Sequence, residues 1–394
     1  MLEEAVIVAA CRTPIGRFQG ALSSLPAPRL GAVVVKEALR RAGVAPAEVD
    51  EVILGNVLTA GVGQAPARQA ALGAGIPEPV PALTINKVCG SGLKAVMLAA
   101  QAIRAGDAKV VVAGGQESMS NAPFLLRGAR TGWRLGDQQA LDALLHDGLL
   151  DAYEGYHMGE TGEIVAERFR VTREDADALA LASHRKAAAA ADGGLFDDEI
   201  VPVEVESGRG ATTRVTQDEG IRRDASPESL AKLRPAFRKD GIVTAGNASQ
   251  ISDGASALVV MSAREAERRG ITPLARIVAY DSSATRPEWV MEAPIGSVRR
   301  LLEKAQLRIE DVDLFEHNEA FATASCAVAK ELRVPEDRFN VHGGAVALGH
   351  PIGASGARVL TTLLYALRAR RARRGLATLC LGGGGAVSLL VERL

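Results

Sequence analysis

Short apolar runs alternate along the chain with stretches whose apolar residues recur three and four positions apart. The runs at 5–10, 51–57, 109–113, 274–280, 312–316, 377–381 and 386–391 predict strands. The periodic stretches at 30–42, 93–104, 298–304, 320–332 and 357–370 predict helices. Strands that alternate with helices in this way predict an α/β protein. One more helix is predicted over 172–193, where Thr172 caps, Asp175 follows and an alanine-rich body begins.

The pattern also repeats. ALRRAGVAPAEVDEVILGN, from Ala38, aligns without gaps with LLEKAQLRIEDVDLFEHNE, from Leu301. Each is a helix end, a turn, an acidic-Val-Asp step and a strand. The same offset lays Gly90 on Gly353 and brings Cys89 within two residues of His350. After each glycine turn come a long helix and a strand ending in glycines, VVVAGG first and TLCLGGGG second. Two βα-rich halves, 1–120 and 271–394, therefore look like a duplication with a site at their junction. Residues 121–270 fall outside the repeat. They are expected to form a loop-rich insertion region that returns to the N-terminal half, and long insertions often carry specificity.

Composition narrows the function classes. A chain of 394 residues is too long for one ordinary core. With 47% hydrophobic and 24% charged residues it reads as a soluble globular protein. A formal net charge of -1 gives no electrostatic reason for a nucleic-acid or anionic-membrane partner. The acidic start MLEE runs straight into a strand, unlike a secretory signal. No apolar run approaches the roughly 18 residues of a membrane helix. A cytoplasmic protein is expected. The four cysteines, Cys11, Cys89, Cys326 and Cys380, lie outside metal-ligand spacing of one another. Neither a metal site nor, in a reducing compartment, a disulfide is expected. Cys11 and Cys326 read as small core residues.

The candidate chemistry sits in glycine-rich turns. Cys89, in KVCGSG, precedes an amphipathic helix. There the helix dipole and unpaired N–H groups are expected to lower the thiol pKa below about 8.5 and to hold a developing oxyanion. A structural cysteine in a tight turn has the same local sequence. His350, in LGHPIG, stands before Pro351, which stiffens the backbone. It is suited to take a thiol proton, or to cap a helix. Cys380 ends an apolar strand before four glycines, either as a proton carrier in a cleft or as a packed core thiol. Asn318, in HNEAF, opens a predicted helix, where Asn is also simply a good N-cap. Two cysteines and a histidine, each beside glycines, suggest acyl chemistry on thioesters. Of the other histidines, His157 meets a substrate tail or merely packs. His146 and His184 read as solvent-facing helix positions, and His342 as a support beside His350. Glycines 382–385 lie between two strands, so they are no dinucleotide loop.

Seven motifs then stand in order over essentially the whole chain. They are VCGSGLKA at 88–95, GGQESMS at 114–120, GYHMGET at 155–161, KLRPAF with TAGNAS within 232–249, NEAFA at 318–322, GHPIGASGAR at 349–358 and CLGGGG at 380–385. Together they resemble the thiolase family, in particular its biosynthetic acetyl-CoA acetyltransferases. The resemblance implies a thiolase fold layered α-β-α-β-α, and a homotetramer built as a dimer of dimers. It implies a reversible Claisen condensation of two acetyl-CoA to acetoacetyl-CoA and CoA through an acetyl-cysteine. CoA thioesters would be the substrates, with no metal or other cofactor. Cys89 would be the nucleophile, His350 its activator and Cys380 the base toward the second acetyl-CoA. One oxyanion hole would be His350 with a water held by Asn318, and the other the N–H groups of Cys89 and Gly382. Ser249, His157 and Met158 would line the pantetheine and acyl end. Arg222 and Ser229 would lie near the CoA nucleotide, and Met291, Phe237, Ala320 and Phe321 would wall the acyl pocket.

Two residues depart from the family pattern beside these groups, His317 and His342, and each is expected to shift a neighbouring water or pKa. The segment FLLRGARTGWRLG differs as well, where the family makes tetramer contacts. Two other functions remain open at this stage. One is a 3-ketoacyl-CoA thiolase of broader chain length, as in fatty-acid β-oxidation. The other is a non-catalytic acyl-CoA-binding protein.

Overall fold

The computed structural model describes residues 3–207 and 210–394. The strands Ala5–Arg12, Val110–Ser118 and Ser252–Ser262 are buried along their whole length. Runs of this kind belong to sheets covered on both faces. The N-terminal half orders its strands 82–85, 51–55, 110–118, 252–262 and 5–12, and the C-terminal half orders 314–317, 374–381, 385–393 and 275–284. Glu51–Gly55 runs parallel to Val110–Ser118, as Leu314–His317 does to Arg374–Leu381, and the next two pairings in each half are antiparallel. The duplication read from the sequence is thus present in four strands of each half, with 82–85 an additional edge strand of the first. Among the described residues the half-sheets join edge to edge where Val6 and Ile7 pair with Arg276 and Ala275.

Two helices fill the space between the half-sheets. Ser91–Ala105, which follows Cys89, packs on strands 51–55 and 110–118 and reaches 385–393. Ser355–Ala369, which follows His350, packs on 314–317 and 374–381 and reaches 252–262 and 5–12. Helix Ala27–Ala42 covers the outer face of the first half, and Ala293–Ala305 that of the second. The result is the expected α-β-α-β-α layering. A Cβ on Gly356 would lie 2.3 Å from Leu93 N, and one on Gly92 2.7 Å from Ala357 N. Only glycine lets the two central helices meet backbone to backbone, so their N-termini converge.

The strand Ser252–Ser262 was not expected. SDGASALVVMS opens with small polar residues and, buried on both faces, shows no alternation. It nonetheless lies between Ala5–Arg12 and Val110–Ser118 and pairs with both. Its counterpart in the second half is Gly385–Arg393, which follows Arg374–Leu381 after a glycine turn alone. Residues 119–251 are therefore inserted where the second half has only that turn, and they spring from the edge of the site. The predicted 172–193 helix spans Arg173–Asp192, with Thr172 and Asp175 capping reciprocally. Short elements such as strand Ala82–Ile85 and helix Pro66–Gly73 were not expected. No helix among the described residues is long and apolar enough to cross a membrane.

Candidate active site

Cys89 sits on a strained turn. Val88 has φ 47°, in the left-handed region that a β-branched residue avoids. The turn is held by Ser91, whose hydroxyl donates to Val88 O (2.7 Å) and accepts from Lys87 N (2.8 Å). The thiol lies against the N–H of Gly382, across the junction of the halves. Contrary to the expected helix effect, it is pushed up to about 11. Burial is the largest cause, and the N–H groups of Gly382 and of Cys89 itself only partly oppose it. The helix begins two residues on, at Ser91, so its dipole does not overcome desolvation. Cys89 rests as a neutral thiol.

His350, which lines one cavity with Cys89, is a neutral imidazole. Burial, and then the charge of Arg358, hold its imidazolium down to about 3. Its Nδ1 lies 2.5 Å from Ser355 Oγ. The Ser355 hydroxyl donates its one proton to Pro351 O at 2.8 Å, so Oγ accepts and Nδ1 carries the hydrogen. The ring's lone pair is left on Nε2. Ser355→Ala removes this restraint on the tautomer, and any turnover that needs the lone pair at Nε2 is expected to fall about 10-fold in kcat with KM nearly unchanged. Steady-state rates test this; a loss of less than about 2-fold would mean that another group sets the tautomer.

Asn318 is not a helix cap. The helix it was expected to open starts at Ala322 with Phe321 at the N-cap. The Asn318 side chain is fully buried, with Nδ2 3.4 Å from both ring nitrogens of His350. Cys380 ends its strand 3.7 Å from Met291 Sδ. Burial, and then the neighbouring Cys89, push its thiol far up, so it too rests protonated.

One cavity of about 210 Å3 brings Cys89, His350, Cys380 and Gly382 together. Its walls include Met158, Phe237, Met291, Ala320 and Phe321, with Ser249 and His157 beside them. His157 caps helix Met158–Phe169, accepting from Gly159 N at Nδ1, and stacks on Phe237 with centroids 4.6 Å apart. The insertion adds Met119 and Leu149 to the wall, the latter from the π-helical turn Leu144–Leu149. Arg222 and Ser229 do not line this cavity and lie exposed on the insertion. Arg222 N donates to Nδ1 of His184, which is buried rather than solvent-facing and is held to about 4.

The two departing histidines face elsewhere. His317 is buried, bonds Ser325 Oγ at 2.9 Å and stacks on Phe339. His342 packs edge-on against Phe196. Burial holds them to about 3 and about 4, so both stay neutral. A larger cavity, about 550 Å3 between helices Arg173–Asp192 and Ala322–Leu332, contains Cys326, whose thiol burial pushes up to about 12.

Two further residues at the site were quoted within motifs but given no role. The Glu117 carboxylate accepts from Val57 N, Leu58 N, Gly353 N and the Asn56 amide, tying the first half to the turn after His350. Burial raises it to about 7. Arg358 bonds Asn318 from behind. Position in a motif was the only sequence signal for either.

The family models described as "Thiolase, N-terminal domain" and "Thiolase, C-terminal domain" match residues 5–264 and 271–393. An acetyl-CoA acetyltransferase of Pseudomonas aeruginosa is 55% identical over the full length of both chains. One of Chromobacterium violaceum is 56% identical over 99% of this chain and 100% of its own. The crystal structure of the Bacillus anthracis acetyl-CoA acetyltransferase superposes with a TM-score of 0.98 at 44% identity, covering 100% of this chain and 99% of that one.

Proposed function

The chain belongs to the thiolase family, and on that premise we propose that it condenses two acetyl-CoA to acetoacetyl-CoA and CoA, reversibly, through an acetyl-Cys89 intermediate. The observation that carries this reading is the meeting of two protonated thiols and a neutral imidazole on one small cavity.

The protonation states order the steps. His350 Nε2 takes the Cys89 proton, and the thiolate adds to the acetyl carbonyl of the first acetyl-CoA. The N–H groups of Cys89 and Gly382 receive the oxyanion. Collapse breaks the C–S bond to CoA, and the leaving thiolate takes its proton from Cys380. Acetyl-Cys89, an imidazolium and a Cys380 thiolate remain. Cys380 then removes an α-proton from the second acetyl-CoA, and the enolate oxygen is held by the imidazolium and a water on Asn318. The enolate carbon attacks acetyl-Cys89, the Cys89 sulfur leaves, and His350 returns its proton. All protons and electron pairs close on the side chains and substrates, so the cycle calls for no metal or redox cofactor. In reverse, the same groups thiolyse acetoacetyl-CoA.

The cavity favours a short acyl group. Its volume is below the roughly 300–1,000 Å3 of pockets that enclose a drug-sized ligand, and Met158, Met291, Phe237 and Phe321 close its walls. Thiolysis of acetoacetyl-CoA is expected to exceed that of a long-chain 3-ketoacyl-CoA by at least about 10-fold in kcat/KM. Equal or better turnover of the long chain would favour the broader thiolase, and no turnover of either would favour the binding protein.

Four free thiols suit the reducing cytoplasm. The hairpin Phe124–Leu126 with Ala140–Asp142 exposes Phe124, Leu126 and, in its loop, Leu135 at 95%. Apolar groups so exposed support assembly, and we read the protein as a homotetramer.

A further inference from the structure

Arg358 stands in the first turn of the helix after His350, in the layer between the half-sheets, and is fully buried. Its Nη2 donates to Asn318 Oδ1 at 3.4 Å. Among the described residues, its Nε and Nη1 find no hydrogen-bond partner, and neither do the carboxylate oxygens of buried Glu316. Glu316 is the acid that acts most strongly on Arg358, yet the two do not hydrogen-bond. A guanidinium buried with so few bonds is expensive, and an apolar side chain would fill the space at less cost. The position therefore calls for what only arginine supplies there, a donor and a fixed charge.

Both point at Asn318. The amide spans Arg358 and His350: Oδ1 meets the guanidinium, while Nδ2 lies 3.4 Å from each ring nitrogen. An amide whose oxygen is held by a donor cannot flip, so its N–H groups stay turned to His350. Resting on the thiolase reading, we infer that Arg358 is a positioning residue of the reaction. It fixes the Asn318 amide toward His350 and the reacting oxygen, and its charge adds to burial in opposing a second proton on the ring.

The groups around His350 fit that assignment. Cys89 and Cys380 face it across the cavity as neutral thiols, and Ser355 and Asn318 carry no charge. Glu319 is turned away onto Ser183, Asn340 and Val346 N. Arg358 is the charge that acts on the ring.

Two variants separate positioning from charge. Glu316→Gln/Arg358→Met removes the buried cation together with its acidic neighbour, so that no carboxyl is left beside a missing cation. Glu316 is already raised to about 8 by burial, so the neutral amide is a mild change there. In this variant kcat/KM for acetoacetyl-CoA thiolysis is expected to fall about 10- to 100-fold. Without the nearby cation His350 becomes more basic, so the acidic limb of the pH profile moves to higher pH. For the same reason the Cys89 thiolate–imidazolium pair forms more readily. Alkylation of Cys89 by iodoacetamide at neutral pH, read by peptide mass spectrometry, is therefore expected to speed up while turnover falls. A merely structural lesion would slow turnover equally at all pH values and would not accelerate alkylation. Arg358→Lys keeps the charge but shortens the reach, so turnover is expected to fall with the limb unmoved. Folded variants within about 3-fold of the parent in turnover, with unchanged alkylation profiles, would overturn the assignment. Alkylation does not need Claisen turnover. An inactive parent would count against the thiolase reading, while its Cys89 alkylation profile would still test Arg358.

Discussion

Cys89→Ser is expected to abolish condensation and thiolysis, lowering kcat by at least about 10^4-fold, while CoA binding stays measurable. A serine hydroxyl in the same place is a far weaker acid than a thiol that burial already holds at about 11. A neutral imidazole at His350 cannot generate the alkoxide to a useful extent. No other group takes over. On the proposed mechanism Cys380 is occupied as acid and base, and Cys11 and Cys326 lie outside the cavity. The fold is expected to survive, because the turn is held by Ser91 and not by the Cys89 thiol. Turnover with both substrates, a CoA-binding isotherm and intact mass after mixing with acetyl-CoA test this together. Activity within a few-fold of the parent would remove Cys89 from the nucleophile's role.

Cys380→Ala is expected to separate the two halves of the reaction. Acetyl-Cys89 should still accumulate over minutes, since its attack and oxyanion hole use Cys89, His350 and Gly382, and the CoA thiolate that Cys380 would have protonated can leave and take its proton from water. Acetoacetyl-CoA formation should fall by about 10^2- to 10^4-fold, the usual share of a positioned acid or base. The acetylated mass should persist with excess acetyl-CoA and disappear on adding CoA. The physical basis is position. Cys380 lies at a strand end on the shared cavity, close enough for Cys89 to affect its titration, and its raised thiol becomes a strong base once it has given up its proton. Condensation within about 10-fold of the parent would show that another group takes the α-proton.

Much of the site was legible in the chain. Cys89, His350 and Cys380 stand out because reactive side chains beside glycines are rare. The offset that lays Gly90 on Gly353 correctly predicted that their turns would meet. The insertion was legible as a break in the repeat. The strand Ser252–Ser262 was not, because a strand buried on both faces and rich in Ala, Ser and Gly carries neither alternation nor β-branched density at its start. Asn318 was placed at a helix cap because HNEAF reads that way locally; the helix starts later because Ala322 N is taken by Asn247 O, from a distant loop.

Read alone, the chain carried most of the element order, the duplication and the class of chemistry. These follow from local patterning and from which side chains stand beside glycine. Only the tertiary structure decided the protonation states and the partnerships. The expected low-pKa thiol became a half-buried neutral one, His184 moved from surface to core, and Arg358 emerged behind Asn318. The reason is that pKa values and hydrogen-bond partners are set by desolvation and by groups from other segments of the chain. Along the sequence those groups lie tens or hundreds of residues away, and folding alone brings them within reach.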